Sequence, residues 1–175
     1  MNKKQLAILS AGNISNKDEG IALYASKYLE LNYSIQPSVD IIHGSTPGMS
    51  LLDILMSYEE VIVLDAIGID EAPGSMYQFP MATFRGFSTE NDMDENGVLG
   101  CLNIIESKGN TLPKLSLLAI IPDSVEAEVG LSFSLLKPFD AYLLMIIKTL
   151  EDKGFTCEEN EKKQTLARVI ESFDR

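Results

Sequence analysis

The chain is poor in the side chains from which metal cages and redox centres are usually built. It has two cysteines and a single histidine. Cys101 and Cys157 lie far apart, without C-x-x-C spacing and without a histidine nearby in sequence, so neither a zinc site nor a disulfide framework is indicated. Both read as plain thiols, in keeping with the common burial of cysteine. Positive charge is also scarce: 14 Lys and Arg stand against 26 Asp and Glu, for a net charge of -12. Unaided binding to nucleic acid or to anionic lipid needs basic patches, so both partners are disfavoured. A cationic, metal-bearing or neutral partner fits better.

Long apolar runs are missing too. Ala141 to Ile147 is apolar but falls far short of a membrane span, and Lys148, Glu151 and Asp152 follow it, so no membrane insertion is expected. The basic start, Met1 to Lys4, leads into a short apolar run that Gly12-Asn13 interrupts without a convincing cleavage site, which reads as a first strand and not a signal peptide. A soluble cytoplasmic protein is the expectation. There is no G-x-G-x-x-G at the first turn, no G-x-x-x-x-G-K-[ST] and no G-x-S-x-G, so nucleotide phosphate binding and serine-hydrolase chemistry have little support. Internal repeats and low-complexity tracts are absent as well.

What is present is an α/β pattern. At 175 residues and 45% hydrophobic, the chain suits one α/β domain with a sizeable core. Leu6 to Ala11, Val39 to His43, Val61 to Asp65 and Leu115 to Ile121 read as buried strands, because parallel strands covered on both faces appear as continuous Val/Ile/Leu runs. Between them the pattern gives helices over Asp18 to about Asn32, over a short segment carrying Met49 to Leu55, and over Val98 to Glu106. Pro73-Gly74 reverses the chain into Ser75 to Phe79, read as an antiparallel edge strand ended by Pro80, and residues 82–97 read as a long loop. A long helix is expected from Ser132 to Lys153, tolerating or kinking at Pro138 and closed by Gly154. The fold class is therefore α/β: a twisted, mostly parallel five-stranded sheet with helices on both faces and an extra C-terminal helix. Residues 1–155 form the domain. Residues 156–175 form an extension whose Leu166, Val169, Ile170 and Phe173 share one helical face, to pack on the parent domain or in a partner's groove.

The polar groups converge on one sheet edge. Asn13 to Glu19 follow strand one, His43 ends strand two and Asp65 ends strand three, and ligands of open α/β sheets sit just beyond strand carboxyl ends. Such a set suits a divalent metal or acid/base work. Each also has a plainer role: Glu19 as a first-turn acid at the helix's positive end, Asp18 as a cap, Asp65 as a turn acid, His43 as a hydrogen-bonded strand end.

Taken in order, Gly12-Asn13 with Asp18-Glu19-Gly20, then Gly44-Ser45-Thr46-Pro47-Gly48-Met49, then Leu64-Asp65-Ala66 with Ala72-Pro73-Gly74, resemble the NiFe-hydrogenase maturation endopeptidases. The likeness continues through Pro122-Asp123-Ser124-Val125-Glu126 to Gly130-Leu131-Ser132 and covers roughly residues 5–154. It implies removal of a C-terminal peptide from the hydrogenase large-subunit precursor after nickel insertion, with nickel carried by the substrate. That family uses a Glu after strand one, an Asp ending strand three and a His in the later loop. The first two fall on Glu19 and Asp65. Asp94, with Glu95 beside it, stands where the histidine would be, while His43 stands where the family usually has an acid.

The resemblance thus implies metal recognition by Glu19 and Asp65 with Asp94 or His43 as a third ligand, and a groove for the substrate's extension at Gly44, Ser45, Thr46 and Gly48. It assigns no residue to activating the attacking water. The acidic surface suits basic substrate segments. The rival reading is a non-proteolytic accessory protein that recognises the metallated subunit without cutting it. A small-molecule binder of flavodoxin-like topology comes third, for want of a phosphate-cradling loop.

Overall fold

The computed structural model describes residues 3–44, 48–80, 83 and 98–173. The strands are β1 (Lys4–Ser10), β2 (Tyr33–Gln36), β3 (Asp40–His43), β4 (Tyr58–Ala66), β5 (Met76–Pro80), β6 (Lys114–Ile120) and β7 (Thr156–Glu159). The helices described over their length are α1 (Ile21–Asn32), α2 (Gly48–Ser57), α3 (Val98–Ser107), α4 (Phe133–Leu136), α5 (Phe139–Asp152) and α6 (Leu166–Glu171), and a 3-10 turn, Lys17–Gly20, leads into α1.

Five strands form one sheet in the order β3-β1-β4-β6-β5. The β3–β1, β1–β4 and β4–β6 pairs are parallel, and β5 lies antiparallel on β6 at the edge. The central strands are apolar on both sides because both sides are covered. Leu6 and Ile8 of β1, with Ile62 and Leu64 of β4, pack under α1 and α5; Ala7, Leu9, Val61 and Val63 pack under α2 and α3. The continuous apolar runs are thus two interleaved period-two patterns, each serving its own layer.

Helix α5 buries Phe139, Tyr142, Leu143, Ile146 and Leu150, a stripe at helical spacing. Tyr142 lies wholly inside, where burial pushes its phenol far above the usual range, and its hydroxyl donates to the Leu118 carbonyl at 2.8 Å. The expected long helix is divided at Lys137-Pro138 into α4 and α5, since proline removes an amide donor and crowds the preceding turn.

The short strands β2 and β7 form a separate antiparallel pair, Tyr33 opposite Glu159 and Gln36 opposite Thr156. This pair joins residues on either side of position 155. Beyond it, buried Asn32 exchanges two bonds with the Gln164 backbone, accepting from its N–H at 2.6 Å and donating to its carbonyl at 3.0 Å. Helix α6 then packs on α1, with Val169 buried and the Phe173 ring edge-on to Tyr24 at 5.4 Å. Among the described residues, no helix is long and apolar enough to cross a membrane.

Candidate functional site

In a doubly wound sheet, the connections leaving two adjacent strands run to opposite sides at the switch point and leave a crevice beyond their carboxyl ends. Here those strands are β1 and β4. The chain leaves β1 through α1 towards β3, and continues from β4 towards β5 and β6. Glu19 follows β1 and Asp65 lies near the end of β4. The 3-10 turn that carries Glu19 packs against β4, and the Ala11 N–H donates to the Leu64 carbonyl at 2.8 Å, extending the β1–β4 ladder to the threshold of the crevice.

The turn is held from several directions. Gly12 has φ +138°, and a Cβ there would stand 2.0 Å from the Glu19 carbonyl oxygen, so the segment after β1 passes Glu19 closely only because residue 12 has no side chain. The Asn13 N–H donates to that same carbonyl at 3.2 Å, and the half-buried Glu19 carboxylate accepts from Asn16 Nδ2 at 2.8 Å. Lys17 occupies the left-handed region at φ +48°, a strained conformation for a non-glycine residue. Contacts with one distant loop maintain it: its N–H donates to the Glu128 carbonyl at 2.7 Å, and its ammonium pairs with Glu128 at 2.9 Å and Glu126 at 3.5 Å. The hydrogen bond to Glu128 raises the Lys17 pKa despite the opposing effect of burial.

Asp18, expected as a cap, does something else. Its side chain is wholly buried and accepts from the backbone N–H groups of Asp123 at 3.0 Å, Ser124 at 2.9 Å and Ser132 at 2.7 Å. It is a plug that welds the loop after β6 to the turn bearing Glu19. Nothing near Asp18 in sequence announces this role, because its partners lie 105 to 114 residues away.

Asp65 is half-buried. Its register partner is Ala119, which belongs to the layer under α2 and α3, and alternation from Val61 and Val63 places Asp65 on that same face. His43 pairs with Ser10 on the opposite face, towards α1. Its Nδ1 lies 3.0 Å from the Ser26 Oγ and its Nε2 3.4 Å from Glu30 Oε2. Burial alone would raise the Glu30 carboxyl, but hydrogen bonds from Lys27 and His43 outweigh it and hold the group below its ordinary value. The pleat thus separates two residues that strand-end counting puts together.

Gly44 continues β3 by donating its N–H to the Ser10 carbonyl at 2.7 Å, and Gly48 opens α2. Ser45, Thr46 and Asp94 lie outside the described residues. Among the described residues, no group of three or more His, Cys, Asp or Glu side chains is gathered for a metal ion. Burial raises the Cys101 and Cys157 thiols, the latter aided by Glu151, which disfavours their reactive thiolate forms.

The comparisons with known proteins agree with this architecture. A family profile described as hydrogenase maturation protease (HycI) matches residues 23–149. The hydrogenase 2 maturation protease of Escherichia coli K12 is 28% identical over 152 residues, covering 86% of this chain and 93% of that protein. The structure of the hydrogenase maturating endopeptidase HybD from E. coli superposes with a TM-score of 0.79 at 26% identity, over 89% of this chain and 98% of that one. The NiFe hydrogenase maturation protease HybD of Thermococcus kodakarensis shares the fold, with a TM-score of 0.61 at 16% identity over 83% of this chain and 99% of that one. With its match spanning most of the chain and the sheet edge built as described, the protein belongs to the hydrogenase maturation protease family.

Proposed function

We propose that this protein is the endopeptidase that removes a C-terminal peptide from a nickel-loaded NiFe-hydrogenase large-subunit precursor, acting in the cytoplasm. Membership of a protease family supports the reaction class. The observation that supports the site is that Glu19 follows β1 and Asp65 lies near the end of β4, the two strands at the switch point of the sheet.

Nickel enters this reading as part of the substrate. The ion arrives held by the precursor's own ligands, and the carboxylates of Glu19 and Asp65 offer hard oxygen donors that distinguish a metallated precursor from an empty one. Asp94 is the third donor in this reading. His43 is left out of the ligand set because both ring nitrogens already face partners on α1. The segment from Gly44 to Gly48, with Ser45 and Thr46 between, receives the precursor's extension.

The test is incubation of the purified protein with nickel-loaded and nickel-free precursor, with mass spectrometry to read loss of the C-terminal peptide. Cleavage is expected only of the loaded form, and Glu19→Gln or Asp65→Asn abolishes it. Metal-independent cleavage, or full activity in both variants, would refute the site. Metal-dependent binding without cleavage by the wild-type protein would favour the accessory role.

A further inference from the structure

We propose that His43 is a positioning residue for the peptide substrate: its imidazole ties the end of β3 to α1 and so fixes where the chain leaves the sheet at Gly44. The proposal rests on the reading above that the chain beginning at Gly44 receives the precursor's extension.

The tie is a chain of four side chains. His43 Nε2 faces the Glu30 carboxylate at 3.4 Å and Nδ1 faces the Ser26 Oγ at 3.0 Å, while the Ser26 Oγ lies 2.9 Å from the Ser10 Oγ. Ser26 and Ser10 are both wholly buried. A carboxylate can only accept, so Glu30 selects the tautomer with its proton on Nε2. Nδ1 is then an acceptor for the Ser26 hydroxyl, which also lies 3.1 Å from the Leu23 carbonyl. The Ser10 hydroxyl donates to the Ile42 carbonyl at 3.3 Å. Each ring nitrogen thus has a partner on α1, which restrains the orientation of the imidazole.

The next residue is anchored to the same place. The Gly44 N–H donates to the Ser10 carbonyl at 2.7 Å, and a Cβ on residue 44 would stand 2.3 Å from that oxygen. Ser10 thus holds Gly44 through its carbonyl and His43 through its hydroxyl and Ser26. Loss of the imidazole frees the β3 terminus on the α1 side and leaves Gly44 on one backbone bond. His43 acts through the segment that follows it. The expected signature is weaker substrate binding with the chemical step preserved.

The decisive experiment measures precursor Kd, KM and kcat for His43→Ala, His43→Gln, Glu30→Gln and the His43→Ala/Glu30→Gln double variant, with the exchange rate of the Gly44 amide. His43→Ala is expected to raise Kd and KM about tenfold, with kcat within about twofold of wild type. Gln keeps one donor and one acceptor and restores most of the binding. Glu30→Gln, a change at an exposed side chain that leaves the core untouched, shifts KM in the same direction by less, and the double variant is no worse than His43→Ala. Gly44 exchange quickens in step with KM. Unchanged KM and Gly44 exchange in His43→Ala and Glu30→Gln, beside a wild type that cleaves, would overturn this proposal alone. So would a collapse of kcat at constant KM, which marks His43 as a group at the reacting atoms. A wild type that binds without cutting refutes the proteolytic reading and leaves the Kd series to decide about His43; one that neither binds nor cuts overturns both.

Discussion

Replacing Asp18 by asparagine tests whether the turn bearing Glu19 is set by a remote loop. The carboxylate accepts from Asp123 and Ser124 through Oδ2 and from Ser132 through Oδ1. An amide offers one acceptor oxygen, and its NH2 can only donate. The better orientation keeps Asp123 and Ser124 on the oxygen and sets the NH2 against the Ser132 N–H. One charge-assisted bond is lost, worth about 1.5–3 kcal/mol, and a buried N–H is stranded at a further cost of about 1–3 kcal/mol. The two surviving bonds weaken as they become neutral. Relief from burying a charge offsets part of this, so the net destabilisation is about 3 kcal/mol. For a chain of this length that lowers Tm by roughly 6–12 °C. Urea unfolding followed by circular dichroism gives the free energy, and hydrogen exchange should show the Ser132 amide losing the most protection. An Asp18→Asn protein within about 1 kcal/mol of wild type, with the Ser132 amide as protected as before, would refute the plug.

Two further changes probe separate parts of the structure. Gly12→Ala puts a methyl group 2.0 Å from the Glu19 carbonyl at a φ of +138°, so precursor cleavage should fall at least about tenfold, with a loss of about 1–3 kcal/mol in urea unfolding; wild-type activity would show that the segment after β1 does not constrain Glu19. Tyr33 has its pKa pushed up to about 12 by burial and then by its hydrogen bond to Glu159. The folded state therefore keeps a proton that the unfolded state has lost, so this contribution is whole below about pH 10 and disappears as the pH rises towards 12. Solvent screening holds it below about 1 kcal/mol. Tyr33→Phe should flatten the stability curve by that amount between pH 10 and 12, and superimposable curves for the two proteins would refute the assignment.

The sheet was readable because its central strands are covered on both faces, so their apolar runs carry the signal within a few consecutive residues. The same locality marked Asp65, at the end of such a run, as a candidate and showed the break at Pro138, whereas Glu19 stands in a turn well beyond the first run. Less was legible where the determining partner is distant. β2 and β7 have four residues each, too few for alternation to stand out, and they exist because Tyr33 and Glu159 meet across 126 positions.

The amino-acid sequence by itself determined the layered α/β class, the succession of the five sheet strands and the helices between them, and the strand ends at which acids are presented, because these follow from local periodicity and from what glycine and proline permit. Tertiary structure alone decided the partners of those acids. Register set His43 on the α1 face and Asp65 on the face of α2 and α3, since alternation fixes which neighbours share a side but not which side meets which helix. The buried charge of Asp18 became a weld only when the loop after β6 brought three unpaired amides to it, a long-range hydrogen-bond demand that leaves no trace in local spacing.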